Sequence, residues 1–183
     1  MSTYSYLKNF LRDKNVASVT PTSQKCVKHV CKNIIFQNDN IIIEYGPGTG
    51  VFSKYLLSKL TKDSRLLLLE TNPDFVEQLK QIRDPRLEVY HESVENVMDV
   101  VGSRMKGKVD YIISGIPFSF LDETVKNKIL KHSAELLKKG GKFLAYQTSG
   151  HLKDPLRKVF GNLDTEFEIL NIPPMLIYEA VKR

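Results

Sequence analysis

The chain has 183 residues, of which 42% are hydrophobic and 26% charged, and its formal net charge is +6 at neutral pH. This composition predicts one globular domain over residues 1–183 and excludes an intrinsically disordered chain. The longest apolar runs, 41–43 and 66–69, are too short to cross a bilayer, so a soluble or peripheral protein is expected. The modest positive charge suits an anionic partner, such as nucleic acid or a lipid surface, without requiring one.

The first 36 residues are predicted to form a helical segment of two helices, separated by an extended stretch at 16–19 and a break at 20–23. Within 3–13, apolar and aromatic side chains share one helical face and basic residues flank it (Tyr4, Leu7, Phe10 and Leu11; Lys8, Arg12 and Lys14). Ser23 offers an N-cap to a second helix that runs to about Phe36. Two compatible roles stay open for residues 3–14: a lid over a ligand pocket, and a peripheral contact with an anionic membrane.

Two cysteines, Cys26 and Cys31, fall five residues apart in the second predicted helix. This spacing turns them to different faces, so a disulfide between them is not expected. No cluster of ligating residues surrounds them, so no metal site is predicted. Reduced cysteines indicate a cytoplasmic location, and residues 3–14 add the option of attachment to the inner face of the membrane.

From residue 41 onward, strand-like and helix-like segments alternate. The predicted strands are 41–45, 65–70, 86–90, 109–114 and 142–147, and the predicted helices are 51–60, 73–82, 94–104, 122–139 and 152–160. Repeated βα units specify a parallel sheet, and two final strands, 166–170 and 176–182, break this rhythm as a hairpin-like pair. The predicted fold is a doubly wound, Rossmann-like α/β domain with a seven-stranded mixed sheet over 41–183.

A glycine-rich turn follows the first predicted strand. Gly46, Gly48 and Gly50 let the backbone turn sharply and let a ligand approach without interference from a Cβ atom. Dinucleotide sites use the spacing G-x-G-x-x-G, whereas here the third glycine comes one residue early. Glu44 stands two residues before the first glycine, where its carboxylate opposes a pyrophosphate and suits a cationic ligand. The turn therefore favours a cationic, phosphate-free cofactor.

Further acidic residues follow the next two predicted strands. Glu70 ends the second strand, where a carboxylate can accept hydrogen bonds from both ribose hydroxyls of an adenosine cofactor. Glu92 follows the third strand and can accept a hydrogen bond from an adenine amino group. A glycine turn that arose by chance would not be expected together with acidic residues at the ends of the next two strands.

These features resemble the class I S-adenosylmethionine-dependent methyltransferases over nearly the whole chain. The resemblance implies S-adenosylmethionine as cofactor and a seven-stranded sheet with a reversed last strand. It also implies a set of cofactor-binding residues along the strand ends, namely Glu44, Tyr45, Gly46, Gly48, Gly50, Glu70, Thr71, Glu92, Ser93 and Ser114.

Two families within this class are similar to the chain. The bacterial phospholipid N-methyltransferases share features with residues 6–12, 19–23, 113–118 and 171–174, in the same order along the chain. The ribosomal RNA adenine dimethyltransferases match residues 44–56, but their base-gripping Asn is replaced here by Ser114 and Gly115. That family also carries a C-terminal helical domain. The resemblance therefore implies a phospholipid amine as acceptor, with nucleic acid disfavoured.

The acceptor is expected beside the end of the fourth strand. Ser114 and Pro117 lie in this loop, and Phe118 and Tyr146 offer aromatic faces that stabilise a cationic product nitrogen by cation–π attraction. These four residues are the predicted catalytic group. An RNA adenine, a small-molecule amine, and a catalytically silent cofactor-binding module remain as alternatives.

Overall fold

The computed structural model describes residues 23–169, 171 and 173–183, so the predictions for residues 3–14 and 16–19 lie outside the described residues. The described strands form one sheet in the order β3-β2-β1-β4-β5-β7-β6. Their bounds are β1 (Ile41–Tyr45), β2 (Arg65–Glu70), β3 (Leu87–His91), β4 (Val109–Ser114), β5 (Leu137–Gln147), β6 (Asp164–Glu168) and β7 (Met175–Val181).

The first five strands are parallel, and β7 runs antiparallel between β5 and β6. The predicted seven-stranded mixed sheet is therefore confirmed. Continuous apolar strands explain its centre: four of the five residues of β1 and all six of β4 are buried. Strands of this kind need helices on both faces of the sheet.

Helices cover both faces. One face packs under α1 (Gln24–Val30), α2 (Val51–Leu57) and α3 (Pro73–Lys80), and the other under α4 (Val97–Val101), α5 (Glu123–Leu136) and α6 (Lys153–Phe160). Ser23 caps α1 as predicted, since its hydroxyl oxygen accepts a hydrogen bond from the backbone N–H of Cys26 at 3.1 Å. None of the described helices combines the length and apolar character that crossing a bilayer requires.

Several helix bounds differ from the predictions. The first is α1, which ends at Val30 and not near Phe36. The predicted helix 94–104 is split by Gly102, which has a φ of 66°. In the third case, α5 ends at Leu136 and residues 138–141 bulge from β5. A Cβ on Gly141 would lie 2.9 Å from the carbonyl oxygen of Val109, so only glycine lets the chain pass this close to β4.

The chain order creates a switch point between β1 and β4. From β1 the chain moves outward to β2 and β3, then crosses back to β4 on the other side of β1. In doubly wound sheets, ligands bind outside the carboxyl ends of the strands at such a point. Tyr45 at the end of β1 pairs with Ser114 at the end of β4, so the loops that follow them emerge side by side.

An ionic cluster fixes α1 to the edge strand β6. His29 Nδ1 lies 2.6 Å from Glu168 Oε2, and His29 Nε2 lies 2.7 Å from Glu166 Oε2. Lys32 Nζ donates to Glu166 Oε1 at 2.7 Å. Hydrogen bonds to Glu166 and then to Glu168 raise the pKa of His29 above its ordinary value. Charged His29 therefore stabilises this junction.

A pH titration of thermal stability tests this junction. Because the pKa of His29 is raised on folding, its contribution is complete below the ordinary histidine pKa of about 6.5 and is lost as pH rises through the raised value. We expect the melting temperature of the wild type to fall between pH 6 and pH 9 more than that of His29→Gln. Calorimetric melts at matched ionic strength measure this difference. Parallel curves for the two proteins would contradict the assignment.

Candidate active site

A cavity opens at the carboxyl edge of the sheet, at the switch point. It is lined by the loop after β1, the end of β2, the turn after β3 and the loop after β4, together with Phe75 of α3 and Ile129 of α5. The elements that supply these segments come from both halves of the sheet. The predicted site residues that it brings together are Gly46, Gly48, Glu70, Thr71, Ser93 and Pro117.

The glycines after β1 have different surroundings. Gly46 and Gly48 line the cavity with φ values of 67° and 55°, and nothing lies within 4 Å of a Cβ placed on Gly48. A side chain at Gly48 would therefore project into open space beside the cavity. Gly50 differs from the expectation that it contacts the cofactor. It does not line the cavity, and a Cβ there would lie 2.8 Å from Leu79 Cδ2, so it serves the packing of α2 on α3.

Glu70 is held in place by backbone amides. Its Oε2 accepts from Gly48 N at 3.0 Å, and its Oε1 accepts from Thr71 N and Asn72 N at 2.8 Å each. The side chain is buried at the cavity wall, and this burial raises its pKa, against the lowering effect of the three amides. Two loops are thus ordered around one carboxylate, which is oriented to meet a hydroxylated ligand.

Glu44 is a buried carboxylate with an unsatisfied oxygen. Its Oε2 accepts from Ser53 Oγ at 2.6 Å, whereas Oε1 has no hydrogen-bond partner among the described residues. Burial raises its pKa to about 8. Glu44 is not itself part of the cavity wall, but it precedes the glycine loop by two residues. A buried, unpaired carboxylate oxygen at this place favours a nearby positive charge.

The turn after β3 contributes its later residues. Ser93, Val94 and Glu95 line the cavity, and Ser93 Oγ accepts from Glu95 N at 3.3 Å. Glu92 differs from the expectation because it lies outside the wall. Its Oε1 accepts from Ser93 N at 2.7 Å and from Asn96 Nδ2 at 3.1 Å, so it shapes the turn and leaves the wall to the residues that follow.

The loop after β4 forms the opposite wall. Gly115, Ile116 and Pro117 line the cavity. Ser114 is fully buried, and its Oγ has no hydrogen-bond partner among the described residues. Phe118 differs from the expectation of an accessible aromatic face: it is fully buried in the core under α5 and α6. Its ring therefore supports the loop from below and presents no face to an acceptor.

Tyr45 also differs from its predicted role. Its side chain is fully buried on the α5 side of the sheet, and its hydroxyl lies 3.1 Å from Ser133 Oγ. Successive residues of a strand point to opposite faces, so Tyr45 and Glu44 cannot share one pocket. Only the backbone of Tyr45 touches the site, because its carbonyl oxygen accepts from Gly115 N at 2.9 Å.

The end of β5 supplies Tyr146 and a residue that the sequence did not single out, Gln147. Tyr146 is not itself part of the cavity wall; its ring stacks on Phe52 with centroids 4.6 Å apart, and its hydroxyl lies behind Gly115, which does line the cavity. Gln147 is buried; its Oε1 accepts from Phe118 N at 3.2 Å, and its Nε2 donates to the Ile116 carbonyl oxygen at 2.9 Å. Gln147 thus ties the loop after β4 to β5. Its position at the carboxyl end of a predicted strand was the only available signal.

Comparison with known proteins identifies the family. Residues 42–141, more than half of the chain, match the family model described as a methyltransferase domain. The chain belongs to this family. As a member of this family the chain is a methyltransferase that uses S-adenosylmethionine as its cofactor, and solved structures of class I methyltransferases share its fold.

Three proteins to which the chain is similar carry out different methyl transfers. An ornithine lipid N-methyltransferase from Singulisphaera acidiphila is 24% identical over 174 residues, which are 93% of this chain and 91% of that protein. A ribosomal RNA small subunit methyltransferase A from Blochmanniella pennsylvanica is 27% identical over 122 residues, which are 66% of this chain and 45% of that protein. The crystal structure of 1,6-didemethyltoxoflavin-N1-methyltransferase from Burkholderia thailandensis, with S-adenosylhomocysteine bound, has a TM-score of 0.72 and 14% identity, covering 100% of this chain and 91% of that one.

The residues at the cavity fit this cofactor. The open cradle beside Gly48 admits a ligand, the carboxylate of Glu70 suits ribose hydroxyls, and the unpaired oxygen of Glu44 suits the positive charges of the methionine part. The described residues therefore include groups of the kind that binding of S-adenosylmethionine requires.

Gly48→Ala tests the cradle. We expect the affinity for S-adenosylhomocysteine to fall at least about tenfold, because the added methyl group would take up open space at the cavity wall that a bound ligand approaches. Gly161→Ala is a matched control, since Gly161 has a φ of 72° and open space around its Cβ but ends α6 away from the cavity. Both substitutions carry left-handed strain of about 1–2 kcal/mol. Calorimetric titration of both variants decides, and equal losses of affinity would contradict the cradle.

The charge of Glu44 is testable by pH. Between pH 7 and pH 9 its carboxyl ionises, and we expect S-adenosylmethionine to gain affinity relative to S-adenosylhomocysteine by roughly fivefold, on the order of 1 kcal/mol. The two ligands share the amino and carboxyl groups, so their ratio removes whatever these groups contribute equally to both. In Glu44→Gln the ratio should change with pH much less than in the wild type. An equal change in the two proteins would show that another group is responsible.

Proposed function

We propose that this enzyme transfers methyl groups to the amine of a lipid headgroup. The observation that carries the proposal is the similarity to an ornithine lipid N-methyltransferase, which extends over nearly the full length of both chains. The loop after β4 supports the same choice. Gly115 offers no side-chain oxygen to grip a nucleobase, and the buried Phe118 offers no surface on which a base could stack.

The chemistry requires alignment more than acid–base catalysis. When bound, S-adenosylmethionine supplies a methyl group made electrophilic by its sulfonium. The glycine loop and Glu70 orient the donor, and Gln147 holds Ile116 and Phe118 so that the opposite wall keeps a constant distance. Fixing two reactants in this way can account for most of the acceleration of a displacement reaction.

The surroundings of the site suit an anionic lipid surface. Phe120 is 40% exposed in the loop after β4. Lys153, Arg157 and Lys158 are exposed on α6, which follows the carboxyl end of β5. Residues 3–14 carry further aromatic and basic residues in the sequence, and their contact with the membrane remains a prediction. Exposed aromatic and basic residues are the kinds of side chain that bind the interface of an anionic membrane.

Methylation of RNA is the second candidate. It is favoured by the similarity to a ribosomal RNA methyltransferase, although this chain spans less than half of that protein's length. The absence of a side chain at Gly115 argues against it.

A labelling experiment separates the candidates. The full chain is incubated with S-adenosylmethionine carrying a labelled methyl group and, in separate reactions, with vesicles containing ornithine lipid, vesicles containing phosphatidylethanolamine, or total RNA. We expect label in a lipid amine, because the site has the donor half of the reaction and lacks a base grip. Thin-layer chromatography and mass spectrometry identify the product.

Two further proteins serve as controls in the same assay. Glu70→Ala should give no label, since the ribose contact is lost. A chain without residues 1–14 should bind vesicles less while retaining affinity for S-adenosylhomocysteine. Label found only in RNA would overturn the lipid proposal, and label in neither would redirect the search to small amines.

A further inference from the structure

The hydroxyl of Tyr146 lies where a side chain of residue 115 would be. A Cβ atom built on Gly115 would lie 2.2 Å from Tyr146 Oη and 2.8 Å from its Cζ. Both distances are far shorter than a van der Waals contact, so the phenol and a side chain at residue 115 exclude each other. The glycine therefore makes room for a hydroxyl that arrives from another strand.

The packing around Tyr146 fixes this position. The residue lies near the end of β5, where it pairs with Ile177 of β7. Its ring stacks on Phe52 of α2 with an interplanar angle of 13°, which orients the phenol along one direction. Gly115, over which the hydroxyl lies, lines the cavity, and the Gly46 carbonyl oxygen is 3.3 Å from the same Cβ point. The hydroxyl thus adjoins both glycine walls of the site.

The Tyr146 hydroxyl carries two lone pairs besides its proton, so its oxygen can accept a hydrogen bond from a ligand. Burial, followed by the nearby charge of Glu44, raises the pKa of Tyr146 well above its ordinary value. The phenol is therefore protonated at neutral pH, and its oxygen keeps lone pairs for a ligand.

We infer that Tyr146 Oη accepts an N–H hydrogen bond from the methyl-acceptor amine, in the place where a residue-115 side chain would otherwise stand. This inference rests on the proposed function, because it requires an amine acceptor. An amine must direct its lone pair at the methyl carbon, and an acceptor oxygen on its N–H orients it without consuming that lone pair.

The reaction balances without proton transfer to Tyr146. The amine lone pair forms the new N–C bond, and the C–S bond breaks with its electron pair retained by sulfur. The nitrogen becomes cationic and later gives an N–H proton to water. Tyr146 stays a neutral phenol throughout.

One consequence is specific to this contact. A primary or monomethylated amine carries an N–H besides its reacting lone pair, whereas a dimethylated amine carries none. The hydroxyl can therefore assist the first two transfers and cannot assist a third. A purely structural role for the phenol would affect all transfers alike.

Tyr146→Phe is tested on vesicles with ethanolamine headgroups that carry no, one or two methyl groups. We expect kcat for the first two acceptors to fall by at least about tenfold, the effect of losing one hydrogen bond in the transition state. The dimethylated acceptor should change by less than about twofold, and so should the Kd of S-adenosylhomocysteine. Tyr55→Phe removes a phenol from α2, outside the cavity wall, and is expected to behave as wild type.

Gly115→Ala provides a second route to the same result. The added methyl group should displace the hydroxyl and lower kcat like Tyr146→Phe, and the double variant should lose little more than either single variant. Three results would overturn the inference. The falls in kcat of the two single variants could multiply in the double variant, kcat could fall equally for all three acceptors, or kcat could stay unchanged in Tyr146→Phe. A wild type that labels no lipid amine refutes the proposed function instead, and the variants are then compared on the acceptor that it does label.

Discussion

The pairing of β1 with β4 is the constraint on which the site depends. Tyr45 and Ser114 are the last paired residues, and Gly115 N continues this pairing by donating to the Tyr45 carbonyl oxygen at 2.9 Å. Gly46 is held from the other side of β1, where its N–H donates to the Leu69 carbonyl oxygen of β2 at 3.0 Å. The two walls of the cavity are therefore extensions of the sheet. Backbone hydrogen bonds inside a buried sheet hold them far more rigidly than loop contacts would.

Two buried carboxylates next to these walls oppose folding and favour binding. Burial raises the pKa of both Glu44 and Glu70, which means that the fold destabilises their charged forms. Glu70 is compensated by three backbone amides, but one oxygen of Glu44 has no partner among the described residues. Ionisation of Glu44 above neutral pH would place a negative charge two residues before the glycine loop, which favours a cationic ligand over an anionic nucleotide.

The sheet and the cofactor-binding part of the site were predictable because they depend on the pattern of residues within short stretches of the sequence. Alternating segments define the order of strands, and the positions of Gly48 and Glu70 follow from the rule that parallel strands end at one edge. Tyr45 and Phe118 were not predictable in the same way. The face to which each side chain points depends on strand register and on core packing, and both rings are fully buried. The bulge at 138–141 likewise depends on how closely Gly141 approaches β4.

The part of the site that we propose binds the methyl acceptor is harder to predict, because it combines residues that are distant in the chain. Gly115 and Tyr146 are uninformative separately: one is a small loop residue, and the other is an aromatic residue in a strand. Only the sheet shows that the phenol fills the space that the glycine leaves, while Gln147 fixes the same loop from the neighbouring position. Residue 115, in the loop after β4, has no side chain and so offers no polar group of its own. The oxygen is instead supplied by β5, so acceptor recognition in this fold has to be sought across adjacent strands and not within one motif.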